Sequence, residues 1–263
     1  MWFFFSVLPW VTSLSSAWEY THLGINTQVW RSPRGTTLLV DPILVDELVF
    51  FGQKLLFRQS RADVPMRTQK LLGGDFDAIV LTQGWDDHAH RPTLSALAKH
   101  GKPVVGPATA KAAAKDAGLE LTVLDHGGVT WVNECQIRAF PGALLGPPWS
   151  KRENSVWASY GGPSLYYEPH SDFDACEDVT ADILVAPAVA QRIGGFDLVF
   201  GKIARGAKLL NARTVVALRN GENDSDGLLA PLIEQVGSYD EAKAALPPDV
   251  RFYAPQIGEE ILI

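Results

Sequence analysis

The sequence predicts an α/β fold of two mixed sheets with helices on the outside. Three observations predict it. Short runs rich in Val, Ile and Leu recur between turn signals. Helix-forming segments stand between some of these runs but not all. The order is strands, then helix and strand, then several consecutive antiparallel strands, then strand and helix again, which a doubly wound parallel sheet does not produce.

Taken in chain order, Thr36 to Asp41 (TTLLVD) is a strand stopped by Pro42, and Asp77 to Thr82 (DAIVLT) is the next. Pro92 to His100 reads as a helix with proline in its first turn and a stop at Gly101. Pro103 to Gly106 is a short strand. Ala108 to Gly118 holds strong helix formers ending at glycine, and Leu119 to Leu124 is a strand. Val129 to Val132 and Gln136 to Phe140 read as an antiparallel pair around Asn133 and Glu134. Ser155 to Tyr160 and Ser164 to Glu168 flank Gly-Gly-Pro, a hairpin signal. Ala181 to Pro187 and Thr214 to Leu218 are apolar enough to be covered on both faces. Gly194-Gly195 is a turn. Helices are expected over Ile203 to Ala212, Gly227 to Val236 with Pro231 near its start, and Tyr239 to Leu246. No linker or charge block interrupts the chain, so one domain is expected from about Trp18 to Ile263.

The 263 residues carry a formal net charge of −7, with 46% hydrophobic and 20% charged residues. This is globular composition. An acidic chain without a dense Lys/Arg run is a poor nucleic-acid binder. Cys135 and Cys176 have no CxxC partner and read as free thiols. Residues 1–17, MWFFFSVLPWVTSLSSA, are uncharged and mostly apolar, with small residues at the end. They read either as a targeting segment or as an extension packed on the domain. Pro9 and the short length argue against a spanning helix there, and no stretch of the domain itself is long enough to span.

The chemistry concentrates in LTQGWDDHAH, Leu81 to His90, at the carboxyl end of the Asp77 to Thr82 strand. Imidazole and carboxylate together suit zinc, iron and manganese. His88 and His90 are two apart, so an extended segment would turn both rings the same way. Asp86 and Asp87 could ligate an ion or orient a ring.

At this point the chain resembles the metallo-β-lactamase-fold hydrolases, whose signature is a strand ending in Thr-His-x-His-x-Asp-His. Thr82, Asp87 and His88 match it, while Gln83 and Trp85 replace two histidines. Leu38 to Pro42 (LLVDP), with Asp41, is similar to the family's first strand and its aspartate. Leu165 to His170 lies where the family has a strand and Gly-Asp-Thr, and Arg219 falls where the family has a histidine ligand. The resemblance implies a four-layer αββα sandwich of two mixed β-sheets with helices on the outer faces. A subgroup found in cyanobacteria and plastids is closer still. It carries Thr-Gln-x-x-Asp-Asp-His-x-His, Gly-Pro-Pro-Trp followed by Glu-Asn, and Tyr-Tyr-Glu-Pro-His, here at 82–90, 146–154 and 166–170.

The departures leave two readings. One is a metal-dependent hydrolase of esters, amides or phosphoesters, using a rearranged mononuclear site. There Asp87, His88, His90, Glu168 and His170 would hold one zinc, iron or manganese ion, and Asp86 or Asp87 would act as catalytic carboxylate. The other holds no metal, with Arg219 pairing Asp87 or Glu168. That protein would be a non-catalytic binding or assembly member of a photosynthetic compartment. Gln83, Trp85, Trp149, Arg152 and Arg219 are the candidate contacts for a small-molecule ligand, with a protein complex as the other class of partner. Phe196 to Lys202 reads first as core and second as part of the same mouth. The expected setting is a plastid or cyanobacterial cytoplasm, or secretion if residues 1–17 act as a simple signal peptide.

Overall fold

The computed structural model of the chain describes residues 17–61, 63–145, 149–176 and 178–263. The apolar segment 1–16 and Gly146 to Pro148 of the Gly-Pro-Pro-Trp motif lie outside the described residues.

Two seven-stranded sheets form the body. From edge to edge the first runs Glu260–Leu262, Glu19–His22, Gln28–Arg31, Thr37–Val40, Ala78–Val80, Val104–Gly106 and Leu121–Val123. The second runs Arg251–Tyr253, Thr214–Leu218, Ile183–Pro187, Leu165–Tyr167, Asn154–Ser159, Cys135–Pro141 and Val129–Val132. Each sheet is half parallel and half antiparallel. In the first, Thr37–Val40 pairs in parallel with Ala78–Val80, which pairs in parallel with Val104–Gly106. In the second, Leu165–Tyr167 pairs in parallel with Ile183–Pro187, which pairs in parallel with Thr214–Leu218.

The period-two alternation of side chains sorts each strand between layers. Leu38, Val40 and Val80 point inward and meet Leu165, Tyr167, Val185 and Val216 from the facing sheet. Trp30 and Tyr167 cross this interface edge to face, with ring centroids 6.0 Å apart. Leu39 and Ile79 point outward, where Leu71, Leu94, Leu97 and Ala113 cover them from helices Pro65–Leu72, Arg91–Leu97 and Lys111–Asp116. Tyr166, Leu184 and Val215 point outward from the second sheet. They are covered by Ile203, Ala207 and Leu210 of helix Ile203–Leu210, with Tyr239 and Ala242 of helix Tyr239–Ala244 beside them. The result is helix, sheet, sheet, helix, the four-layer sandwich that the resemblance implied. Each large side chain taken fully into these layers contributes roughly 1.5–3 kcal/mol.

One expected element is overturned. Gly227 to Val236 is not a helix. Ala230–Leu232 makes a 3-10 turn, and Ile233–Val236 is a strand pairing antiparallel with Ala190–Ile193. Pro231 cannot donate inside a helix, and β-branched Ile233 and Val236 fit a ladder better. Ala190–Ile193 also pairs with Phe196–Val199 through Gly194-Gly195, both at positive φ, as a tight hairpin turn requires. Phe196 is accordingly exposed and not core. No helix among the described residues is long and apolar enough to cross a membrane.

His22, fully buried at the end of its strand, lies within hydrogen-bond distance of the Ile25 carbonyl through Nε2, 3.1 Å. Burial pushes its pKa down to about 4. Between about 4 and the usual 6.5 the unfolded chain therefore binds the extra proton. Stability is full above 6.5 and falls as pH drops towards 4, by up to about 3 kcal/mol from this group. Denaturant titrations across that window should show a shallower loss for His22→Gln than for wild type, and equal slopes would sink this assignment.

Candidate metal centre

The site lies where parallel strands of both sheets end side by side, the usual place for function in mixed α/β sheets. The Thr37–Val40 strand delivers Asp41. The Ala78–Val80 strand delivers Thr82, and the Leu165–Tyr167 strand delivers Glu168 and His170.

Asp41 is fully buried, and its backbone is in the left-handed region at φ 44°. Its carboxylate accepts from the Thr82 amide at 2.8 Å and the Thr82 hydroxyl at 2.6 Å, and lies 2.8 Å from His88 Nδ1. A carboxylate on Nδ1 fixes the ring and leaves Nε2 for an ion. After Thr82 the chain turns sharply. Gly84 sits so close to the Thr109 carbonyl that any Cβ would collide with it. The Trp85 carbonyl then accepts from the amides of His88 and Ala89. This turn breaks the extended period expected for the knot and divides its side chains between two faces.

Asp87 and His88 face inward. His88 Nε2 lies 3.2 Å from Asp87 Oδ2, and the His88 and His170 rings are 5.5 Å apart between centroids. Asp87, His88 and His170 each offer one ligand atom within 4.8 Å of the others. Burial pushes the His88 pKa down, but Asp87 and Asp41 outweigh it and lift it to about 10. Burial also pushes Asp87 up, yet the neighbouring His88 charge holds it below the usual carboxylate value. Burial, then the His88 charge, push His170 down to about 3 and keep it neutral.

Other residues singled out from the sequence stand elsewhere. Asp86 and His90 face away from the cluster and line a separate open pocket with Asp46, Glu47, Lys54 and Arg91. Asp86 pairs with Arg91 at 2.7 Å, and His90 lies 2.9 Å from the Thr93 hydroxyl through Nδ1. Glu168 is fully buried, and its carboxylate accepts amides of Ala143, His170 and Asp172 at 3.2, 3.0 and 2.7 Å. Burial pushes its pKa up to about 8 against the pull of those three donors. Its oxygens are spent shaping the loop that presents His170. Arg219 pairs with neither Asp87 nor Glu168. It reaches Glu222 and the Ala254 carbonyl and stacks over Tyr239. Arg152 binds the Gly142 carbonyl and Asp172, and Trp149 is largely exposed.

Asn26, not singled out from the sequence, joins the cluster. Its amide nitrogen lies 3.0 Å from His88 Nε2 and 3.4 Å from Asp87 Oδ2. It sits in a hairpin turn 61 residues from Asp87, and no local pattern marks it. Gln83, fully buried, reaches His170 Nδ1 at 3.0 Å. Asn26, Gln83, Asp87 and His170 border a cleft of about 1350 Å³ lined also by Trp85, Phe57, Leu144, Phe196, Phe200 and Ile233. The Phe196–Val199 strand thus borders the cleft mouth.

The Beta-lactamase superfamily domain family matches residues 19–219, most of the chain and every residue of the cluster. The chain belongs to the β-lactamase superfamily. This superfamily member is also similar to solved structures. One is a possible metal-dependent hydrolase from Veillonella parvula, 18% identical over 93% of this chain and 99% of that one, TM-score 0.66. Another is Igni18, a novel metallo hydrolase of the archaeon Ignicoccus hospitalis, 14% identical over 94% and 98%, TM-score 0.64. A third is an isothiocyanate hydrolase from Delia radicum gut bacteria, 17% identical over 93% and 98%, TM-score 0.65. At such identities the likeness establishes the metallo-β-lactamase fold and not an activity. No curated protein matches the chain by sequence.

The donor set fits one ion and not two. A two-metal centre needs histidines where Gln83 and Trp85 stand, whereas one carboxylate and two imidazoles suffice for one ion with open positions.

The Asp41 carboxylate should be the most sensitive point of this scaffold. Asp41→Asn places an amide N–H₂ among groups that donate to the carboxylate, and should cost about 3 kcal/mol in denaturant unfolding. A loss below about 0.5 kcal/mol, the size of an ordinary surface change, would refute the clamp.

Proposed function

We propose that the protein is a metal-dependent hydrolase whose mononuclear site is Asp87, His88 and His170, acting on small molecules with an apolar body. The observation that carries this reading is the convergence of these three side chains beside a largely apolar cleft. A divalent ion bound there would supply Lewis-acid polarisation of an ester, amide or phosphoester and lower the pKa of water. Zinc, iron and manganese all suit two imidazoles and a carboxylate. The chain's own residues do the rest. Asp41 holds His88 by Nδ1, and the Glu168 loop holds His170. Phe57, Phe196 and Phe200 exclude water around an apolar substrate. Asp86 faces Arg91, away from the cluster, and is no general base here.

A second reading rests on a specific observation. His88 Nε2 is already within hydrogen-bond distance of Asp87 and Asn26, so the cluster can close on itself without an ion. The same cleft would then serve a binding or assembly protein. A photosynthetic setting belongs to that reading and is supported by the 82–90, 146–154 and 166–170 motifs alone.

Elemental mass spectrometry of the purified protein separates the two. About one zinc, iron or manganese per chain is expected for wild type and far less for His88→Ala. Hydrolysis of esters with apolar acyl groups should follow the metal content. Wild-type protein that takes up no ion after reconstitution with each metal would leave only the second reading.

A further inference from the structure

We propose that the cleft is built to reject anions, and that its substrates are esters and amides whose body is uncharged. This rests on the hydrolase reading above and adds to it a class of substrate. Among the described residues no lysine or arginine lines the cleft, although its wall is drawn from segments that carry three arginines.

Each of these arginines is held by an acid and lines no part of the cleft. Phe57 and Gln59 line it, while Arg58 between them pairs with Asp226. Gln191 and Ile193 line it, while Arg192 between them pairs with Asp197, its partner across the hairpin. The alternation of side chains along a strand produces this sorting. Asn220 and Gly221 line it, while Arg219 just before them pairs with Glu222 and donates to the Ala254 carbonyl. These segments leave apolar groups and carboxamides at the cleft, and Gln235 adds another carboxamide. A carboxamide can bond a neutral polar group but cannot balance a charge.

The carboxylates complete the arrangement. Asp87, Asp197, Glu222 and Asp224 line the cleft. Asp197 and Glu222 are balanced by the arginines just named, and Asp87 belongs to the cluster. Asp224 is exposed and has no ion pair among the described residues. An ion held by Asp87, His88 and His170 would attract the reacting group alone. A carboxylate or sulfate farther along the substrate would leave water for an apolar wall with no counter-charge and one opposing carboxylate, a costly transfer.

Calorimetric titration of the protein with octyl glucoside and with octyl sulfate, each below micelle formation, reads the charge preference without turnover. Hydrolysis of p-nitrophenyl hexanoate beside its ω-carboxylate counterpart, in the presence of zinc, iron or manganese, reads it with turnover. The uncharged member of each pair should be favoured by about tenfold or more, in affinity and in kcat/KM. Asp224→Lys, which sets a cation at the wall, should narrow both ratios by about threefold or more. Hydrolysis of both esters at similar kcat/KM, or a preference for the anionic members, would overturn the inference and leave the hydrolase reading standing. Ratios unmoved by Asp224→Lys would also overturn it, since the discrimination would then lie outside the cleft. A preference for octyl glucoside with neither ester hydrolysed would remove the hydrolase reading and keep the charge rule of the cleft. A protein that binds neither octyl compound and hydrolyses neither ester would overturn both.

Discussion

The buried carboxylate of Asp41 ties the molecule's function to its fold. It sits at the end of one central strand, takes both polar hydrogens of Thr82 at the end of the next, and grips the Nδ1 side of His88 beyond the turn. Hydrogen bonds to a buried charge are the strong ones, and leaving that charge unpaired is expensive. The parallel strand pair, the sharp turn at Gly84 and the orientation of His88 are thereby coupled. A shift in any of them exposes a carboxylate with no alternative partner. The left-handed backbone of Asp41 persists because so many bonds define its place.

Glu168 plays a matching part in the facing sheet. It also ends a parallel strand, and it also spends its oxygens inside the protein, on three amides of the surrounding loops. Both acidic residues therefore build the frame, while His88 and His170, which they hold, face each other across the gap between the sheets. The frame holds the cluster's histidines by hydrogen bonds and leaves Asp87 partly open to the cleft. The division follows from hydrogen-bond capacity, since a carboxylate filled by backbone donors has little left for an ion.

The small sheet formed by 190–193, 196–199 and 233–236 gives the cleft its apolar character. Ala190 and Val199 of this sheet are buried, while Phe196, Leu198 and Ile233 border the cleft mouth. An apolar wall beside a polar cluster suits a ligand with one reactive polar group on a larger apolar body.

How much of this was legible in the sequence depends on the range of the forces involved. Periodicity and turn chemistry are local, so the central strands, the Asn133-Glu134 and Gly-Gly-Pro hairpins and the helices near 91–97, 111–116, 203–210 and 239–244 could be read from residues a few positions apart, whereas helix Pro65–Leu72 was not singled out. The metallo-β-lactamase motifs then suggested the layer order and marked Asp87, His88 and His170 as candidates. The helix expected at 227–236 failed because its strand identity comes from a partner at 190–193, about forty residues earlier. His90, Glu168 and Asp86 carry the right chemistry for a metal site. Only the tertiary structure decided that a turn sends two of them outward and that backbone amides consume the third. Asn26 had no signal at all, since its role exists only once a strained hairpin brings it to His88. Residue types and spacing determined which chemistry was available. Which side chains meet was decided by hydrogen bonds between elements far apart in the chain, and such bonds leave no local trace.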